Sequence, residues 1–238
     1  MVNIALFAYL RLQNIQKMKK SILSLIFGCC FFAAFAQFEG TIVYGVSLPD
    51  AGGENGSLMA SMMPSEATLM VGKSKSRVEM KMGMGMQNIT IVDKKTNEAV
   101  VLMDMMGNKM AMTITEKDVQ KGKEKSSFKL KSLDKGDNTI IAGFPCKHAV
   151  YEDENGSQFD VYYSEKFGKE TYSGSMDNPF KEVKGLMLKY TVATNGIKMT
   201  MTAKSVTEGK IDESKFIVPS DYKKVSQDDI RKMYGGGK

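Results

Sequence analysis

Gly185-Leu-Met-Leu-Lys-Tyr-Thr-Val-Ala-Thr-Asn-Gly-Ile-Lys-Met-Thr-Met-Thr-Ala-Lys-Ser-Val206 is the stretch on which the fold turns. Asn195-Gly196 favours a two-residue type I′ turn, because both central residues must take positive φ. Closing that turn pairs Thr194 with Ile197, Val192 with Met199, Tyr190 with Met201 and Leu188 with Ala203. Side chains alternate with period two, so these residues share one face, and Lys189, Thr191, Lys198, Thr200 and Lys204 take the other. Turn chemistry and alternation agree, which predicts an antiparallel hairpin.

The same pattern repeats outward along the chain. Candidate strands are Gly40–Ser47, Ala67–Val71, Ser76–Met82, Met86–Asp93, Ala99–Met105, Lys109–Thr115, Phe128–Leu133, Thr139–Ala142, Cys146–Asp153, Gln158–Ser164, Gly185–Val192 and Ile197–Val206. Their regular spacing, with Gly, Asn, Asp and Lys clusters between them, predicts a mainly β antiparallel meander as a sandwich, barrel or curved open sheet. Gly107-Asn108 as a two-residue turn sets Met105 against Met110, Met103 against Met112 and Val101 against Ile114. Asn155-Gly156 read the same way sets Val150 against Val161 and His148 against Tyr163, with Cys146 on that face and Tyr151, Asp160 and Tyr162 on the other. Ser226-Gln-Asp-Asp229 resembles a capping box ahead of one short helix carrying Ile230, Met233 and Tyr234. Residues 37–234 read as a single β-rich domain, and 235–238 as a disordered tail.

Residues 18–36 read differently. Met18-Lys-Lys precedes an apolar run from Ile22 to Phe35, and Ala34-Phe-Ala36 stands before Gln37. A basic start, an apolar run and an A-x-A site form the pattern of a secretory signal peptide, which makes residues 1–36 an export signal with Met18 as its start. The apolar run is short for a bilayer span. Ile26-Phe-Gly-Cys29 partly resembles a lipidation box, with Phe27 in place of the usual small or aliphatic residue. Cleavage after Ala36 predicts a periplasmic or outer-membrane location and removes Cys29 and Cys30, leaving Cys146 and no internal disulfide.

Composition follows from this division. The chain has 238 residues, is 42% hydrophobic and 25% charged, and carries a net charge of +6. Arg11, Lys17, Lys19 and Lys20 lie in 1–36 with no acid, so 29 basic and 27 acidic side chains remain beyond it. That balance gives no reason to expect a polyanionic partner, and no nucleic-acid partner is expected of an exported chain whose aromatic residues do not interleave with its basic ones. One His and three Cys leave little for zinc clusters. The 20 methionines are the anomaly.

Met80, Met82, Met84 and Met86 alternate with Lys81, Gly83 and Gly85, which as one strand sets four thioethers on a single face. The two glycines weaken such a strand and often mark a bend. Met103, Met105, Met110, Met112, Met199 and Met201, with Tyr190, extend the same face over two further hairpins. Methionine is flexible, and it is over-used where a surface must accept varied apolar partners. These residues are the candidate ligand-binding set. A plain core with Met in place of Leu is the competing reading. A third is Cu(I) held by thioethers, with Cys146 and His148 as further ligands.

Catalytic motifs fail. Gly83-Met-Gly-Met-Gln-Asn88 begins like a dinucleotide fingerprint but has Asn at the third glycine and no strand-to-helix turn. There is no Walker A loop and no G-x-S-x-G elbow. Lys117, Lys121, Lys123, Lys125, Lys129 and Lys131, interspersed with acids, read as a solvated loop, with anionic headgroups or polysaccharide as the alternative contact. No catalytic residue, metal ligand set or cofactor is predicted.

Four motifs recur in a familiar order: Phe38-Glu-Gly-Thr-Ile-Val-Tyr44, Ile141-Ala-Gly-Phe-Pro-Cys-Lys-His148, Gly185-Leu-Met-Leu-Lys-Tyr190 and Ile211-Asp-Glu-Ser-Lys-Phe-Ile-Val-Pro-Ser-Asp-Tyr222. Over residues 38–222 the chain resembles a family of exported Bacteroidota proteins known only as a domain of unknown function. That family is similar in layout to the periplasmic lipoprotein-carrier proteins of the LolA/LppX type. The resemblance implies a curved antiparallel half-barrel with a few short helices over a concave, lipid-binding side; Met59–Glu66 and residues 165–184 are the segments that could cover it. It brings no catalytic residues.

The expectation is therefore a non-catalytic exported binding module holding a lipid or other hydrophobic small molecule on a methionine-lined sheet. The alternatives are a structural or interaction protein of the cell envelope, with an envelope protein as partner, and a Cu(I)-binding protein.

Overall fold

The structure is a computed structural model that describes residues 38–48, 61–121, 128–134, 139–168, 178–194 and 197–234. The predicted export signal (1–36), the tail (235–238) and the Asn195-Gly196 turn lie outside the described residues. The strands are β1 (Gly40–Ser47), β2 (Glu66–Val71), β3 (Lys75–Lys81), β4 (Gln87–Asp93), β5 (Glu98–Met105), β6 (Asn108–Ile114), β7 (Lys129–Asp134), β8 (Ile140–Ile141), β9 (Phe144–Pro145), β10 (Lys147–Glu152), β11 (Gln158–Ser164), β12 (Leu186–Thr194), β13 (Ile197–Glu208) and β14 (Lys223–Val225). Among the described residues the α-helices are α1 (Glu116–Lys121) and α2 (Gln227–Tyr234), with residues 61–62 also helical.

Among the described residues twelve strands form one sheet in the order β14-β6-β5-β4-β3-β2-β1-β13-β12-β11-β10-β7, and β8 pairs with β9 apart from it. The protein is mainly β, and this large curved sheet is not closed into a barrel. Its logic is two meanders joined through β1: β2 to β6 spread to one side, and β10 to β13 fill the other. Neighbours pair antiparallel except β14, which runs parallel to β6. Sequence reading missed β14, whose three residues are too few for alternation to show.

The hairpins test the predicted registers one by one. Beside Asn195-Gly196 the pairs Thr194–Ile197, Val192–Met199 and Tyr190–Met201 stand as expected. At the next hairpin the turn is Met106-Gly107, not Gly107-Asn108. Both take positive φ, 56° and 91°. Met105 therefore pairs with Asn108, Met103 with Met110 and Val101 with Met112. The turn moves by one residue and the partners by two, so every methionine keeps its predicted face.

The third hairpin is a correction of another kind. Asp153 and Ser157 close a three-residue loop, with Asp153 N–H donating to the Ser157 carbonyl at 2.9 Å and Gly156 N–H to the Asp153 carbonyl at 3.0 Å. Gly156 takes φ 79°, the left-handed residue such a loop requires. Asp153 Oδ1 accepts from the N–H of Asn155 and of Ser157, both at 2.9 Å. Those bonds, led by Ser157, hold the Asp153 carboxyl below the ordinary carboxylate range. The pairs become Ala149–Val161, His148–Tyr162 and Val150–Asp160. A one-residue slip reverses the faces. Tyr151 and Ala149 turn inward, whereas His148 and Val150 join Tyr162 and Asp160 outside.

The four-methionine strand is also corrected. Met80 ends its pairing opposite Asn88, Lys81 opposite Gln87, and Gly83–Gly85 is a 3-10 turn between β3 and β4. Likewise the lysine-rich loop contains α1. The Thr115 hydroxyl and N–H both donate to Asp118 Oδ2 at its start, at 2.6 and 3.0 Å, while Lys129 and Lys131 belong to β7. The predicted capping box of α2 is present, with Ser226 N–H on Asp229 Oδ2 and Asp229 N–H on Ser226 Oγ.

Two cores hold the sheet. The larger packs Phe38, Ile42, Tyr44, Leu69 and Val71 with Ala149, Tyr151, Val161, Phe180, Val183, Leu186 and Leu188. The smaller joins Ile89, Ile91, Leu102 and Ala111 to Phe216, flanked by Ile211, Val218 and Tyr222. Each buried aliphatic or aromatic side chain contributes about 1.5–3 kcal/mol. Register places the two cores on opposite faces, since Ile89 and Ile91 alternate with the Asn88, Thr90 and Val92 side that pairs through to Leu69 and Tyr44.

Candidate functional site

The pairings build the candidate face residue by residue. One row crosses seven strands: Ala203, Tyr44, Ala67, Met80, Asn88, Met103 and Met110 are successive direct partners. A parallel row carries Leu69, Val78, Thr90, Val101 and Met112. On the far side of β1, Val46 meets Met201, Met201 meets Tyr190, and Met199 meets Val192. Period-two alternation then puts Met80, Met103, Met105, Met110, Met112, Met199, Met201 and Tyr190 on one face of the sheet. Met82 and Met86 are both extended, and Met82 N–H donates to the Met86 carbonyl at 2.8 Å, so they continue that face. Met84 leaves it. It is the middle of the turn, at φ 60°, and 69% exposed.

Burial divides the set. Met110 and Met201 are 2% and 3% exposed and Met199 is also buried, so these thioethers are packed. Met80, Met82, Met86, Met103, Met105 and Met112 are half-buried. At β4 to β6 the opposite face is covered by the segment from Ile211 to Tyr222. Arg77 Nη1 donates to the Lys215 carbonyl at 2.7 Å and Lys109 Nζ meets Asp221 Oδ2 at 2.7 Å, and both bonds pin that segment down. On the methionine face of this wing Val92, Ala99 and Met110 are buried, and the methionines around them stay half-buried.

At the other wing the face is filled by aromatic rings. Phe180 stacks on Phe128 with centroids 5.7 Å apart and meets Tyr151 and Tyr190 edge-on. Phe167 packs against Phe38 and Phe144. Phe167, Phe180 and Val183 come from residues 165–184, so the described parts of that expected cover do pack on the sheet; residues 169–177 lie outside the described residues. Of Met59–Glu66, residues 61–66 are described, and Ser61 and Met62 lie against Gly83. Tyr44 Oη donates to the Met187 carbonyl at 2.8 Å, and burial pushes the Tyr44 and Tyr190 hydroxyls well above their ordinary range.

Sequence reading missed Met187, which is buried although it alternates with Leu186 and Leu188. An irregularity in the β11–β12 pairing, where Tyr162 faces Lys189 and Tyr163 faces Met187, brings it to the core side. No periodicity could signal it. Cys146 and His148 are separated: Cys146 is buried in the larger core, whereas the His148 ring stacks on Tyr162 and its Nε2 lies 2.7 Å from Asp160. The candidate copper-ligand pair is therefore not assembled.

Residues 57–222 match the family model described as Domain of unknown function (DUF4412). No curated protein matches the chain.

Proposed function

The chain thus belongs to the DUF4412 family, and we propose that it is a non-catalytic exported binding module that holds a lipid or other hydrophobic ligand on its methionine face. The observation that carries this reading is the half-buried group Met80, Met82, Met86, Met103, Met105 and Met112, on the wing whose opposite face is sealed by Phe216 and its neighbours. A surface of unbranched thioethers adapts to flexible apolar partners. The signal-like residues 1–36 support export to the periplasm or outer membrane. The open, curved antiparallel sheet supports a likeness in layout to the LolA/LppX-type carriers of lipoproteins, and the motif resemblance supports a Bacteroidota source.

Native mass spectrometry and organic-solvent extraction of the purified protein test this reading. A co-purifying lipid is expected, and its occupancy falls in Met105→Gln while the unfolding midpoint stays within a few degrees of the parent. A preparation without any bound apolar species overturns it.

A second reading has its own support. Met110, Met199 and Met201 are packed like core residues, which suits a structural or interaction protein of the cell envelope. In that case Met105→Gln lowers stability and no ligand is extracted.

A further inference from the structure

Backbone register brings three methionines to one face at the turn end of the sheet. Met82 and Met86 flank Gly83–Gly85 in extended conformation and are joined by the 2.8 Å bond from Met82 N–H to the Met86 carbonyl. Gln87 pairs with Asp104, so one step further the same register sets Met86 beside Met105. Directly opposed side chains on one face have Cβ atoms about 4.5–5.5 Å apart, within reach of convergence for a side chain with three rotatable bonds. Met80 and Met103 stand one pleat step behind them. The charged neighbours Lys81 and Asp104 alternate to the other face, and the nearest polar groups on this one are the neutral amides of Asn88 and Asn108. The donor set is therefore neutral and sulfur-rich.

A leucine would bury the same apolar area. What methionine adds is a soft lone pair, and soft thioethers select Cu(I) among biological cations. We propose that Met82, Met86 and Met105 bind Cu(I) as a thioether set at the turn end of the sheet. The site goes beyond the lipid reading and does not rest on it. It uses neither Cys146, which is buried in the larger core, nor His148, which faces Asp160 on the opposite side. Thioethers have no proton to lose, so binding here holds on acidification through a range where a Cys or His site is lost to protonation.

The full chain is titrated anaerobically with Cu(I) against a chromophoric chelator at neutral and mildly acidic pH, with X-ray absorption on the loaded protein. The expected result is stoichiometric binding that is insensitive to pH, a shell of sulfur donors, and affinity about tenfold or more weaker in the Met82→Leu, Met105→Leu double variant. Failure to withdraw Cu(I) from the chelator overturns the site. So does a nitrogen or oxygen shell, loss of binding on acidification or in Cys146→Ser, or unchanged affinity in a folded double variant. If the double variant does not fold, the shell and pH dependence of the parent chain decide. Solvent extraction of the same preparation reads the lipid separately, so either proposal can fail alone.

Discussion

The Tyr44 hydroxyl donates to the main-chain carbonyl of Met187 at 2.8 Å, although 143 residues separate them in sequence. It ties β1 to β12 across the intervening β13, and both partners are buried. Tyr44→Phe removes the donor and leaves a buried carbonyl one bond short. The expected loss is about 1–2 kcal/mol of unfolding free energy, read from the midpoint of denaturant unfolding at unchanged m. A change of a few tenths would show that the carbonyl finds another partner.

Alkaline pH acts on the same region. Tyr44 and Tyr190 ionise well above their ordinary value of 10.0 because burial disfavours the phenolate. Their contribution is complete below about pH 10 and is lost as pH rises above it, because the unfolded chain then releases protons that the folded chain keeps. Each tyrosine adds a slope of up to about 1.4 kcal/mol per pH unit. Unfolding followed from pH 9 to about pH 11 should steepen accordingly, and Tyr190→Phe should flatten the curve.

Gly83 and Gly85 differ although they share one turn. A Cβ on Gly83 would run into the Ser61 carbonyl and the Met62 backbone, whereas one on Gly85 meets open space but sits at φ 74°. Gly83→Ala should cost about 1–3 kcal/mol as an overpacking change and increase protease cleavage near Ser61. Gly85→Ala should cost only the left-handed penalty of about 1–2 kcal/mol and leave that cleavage unchanged.

Met106 occupies the first position of its turn at φ 56° and is 78% exposed. Asn-Gly is the pair such a turn prefers. Met106→Asn should therefore raise stability by about 0.5–1 kcal/mol, seen as a higher thermal midpoint. A fall would mean that the methionine makes contacts worth more than the strain it carries.

Much of this molecule was legible in one dimension. A two-residue turn couples directly to period-two alternation, so Asn195-Gly196 specified the register of β12 and β13 without help. Even the displaced turn at Met106-Gly107 left the methionines on their face, because moving a two-residue turn by one position shifts the partners by two. The capping box at Ser226–Asp229 was equally local, since its donors and acceptors lie within four residues.

What the chain order could not contain was the loop at Asp153 and the choice of which face to seal. At Asp153, one carboxylate accepting from two backbone amides enlarged the loop by a residue, and that odd change in length sent His148 outward and Tyr151 inward. The sealing of β4 to β6 depends on Phe216 arriving on the side of Ile89 and Leu102, a contact across more than a hundred residues. Alternation told which methionines share a face; only long-range packing decided which of them are buried and which remain half open, because burial depends on what arrives from elsewhere in the chain.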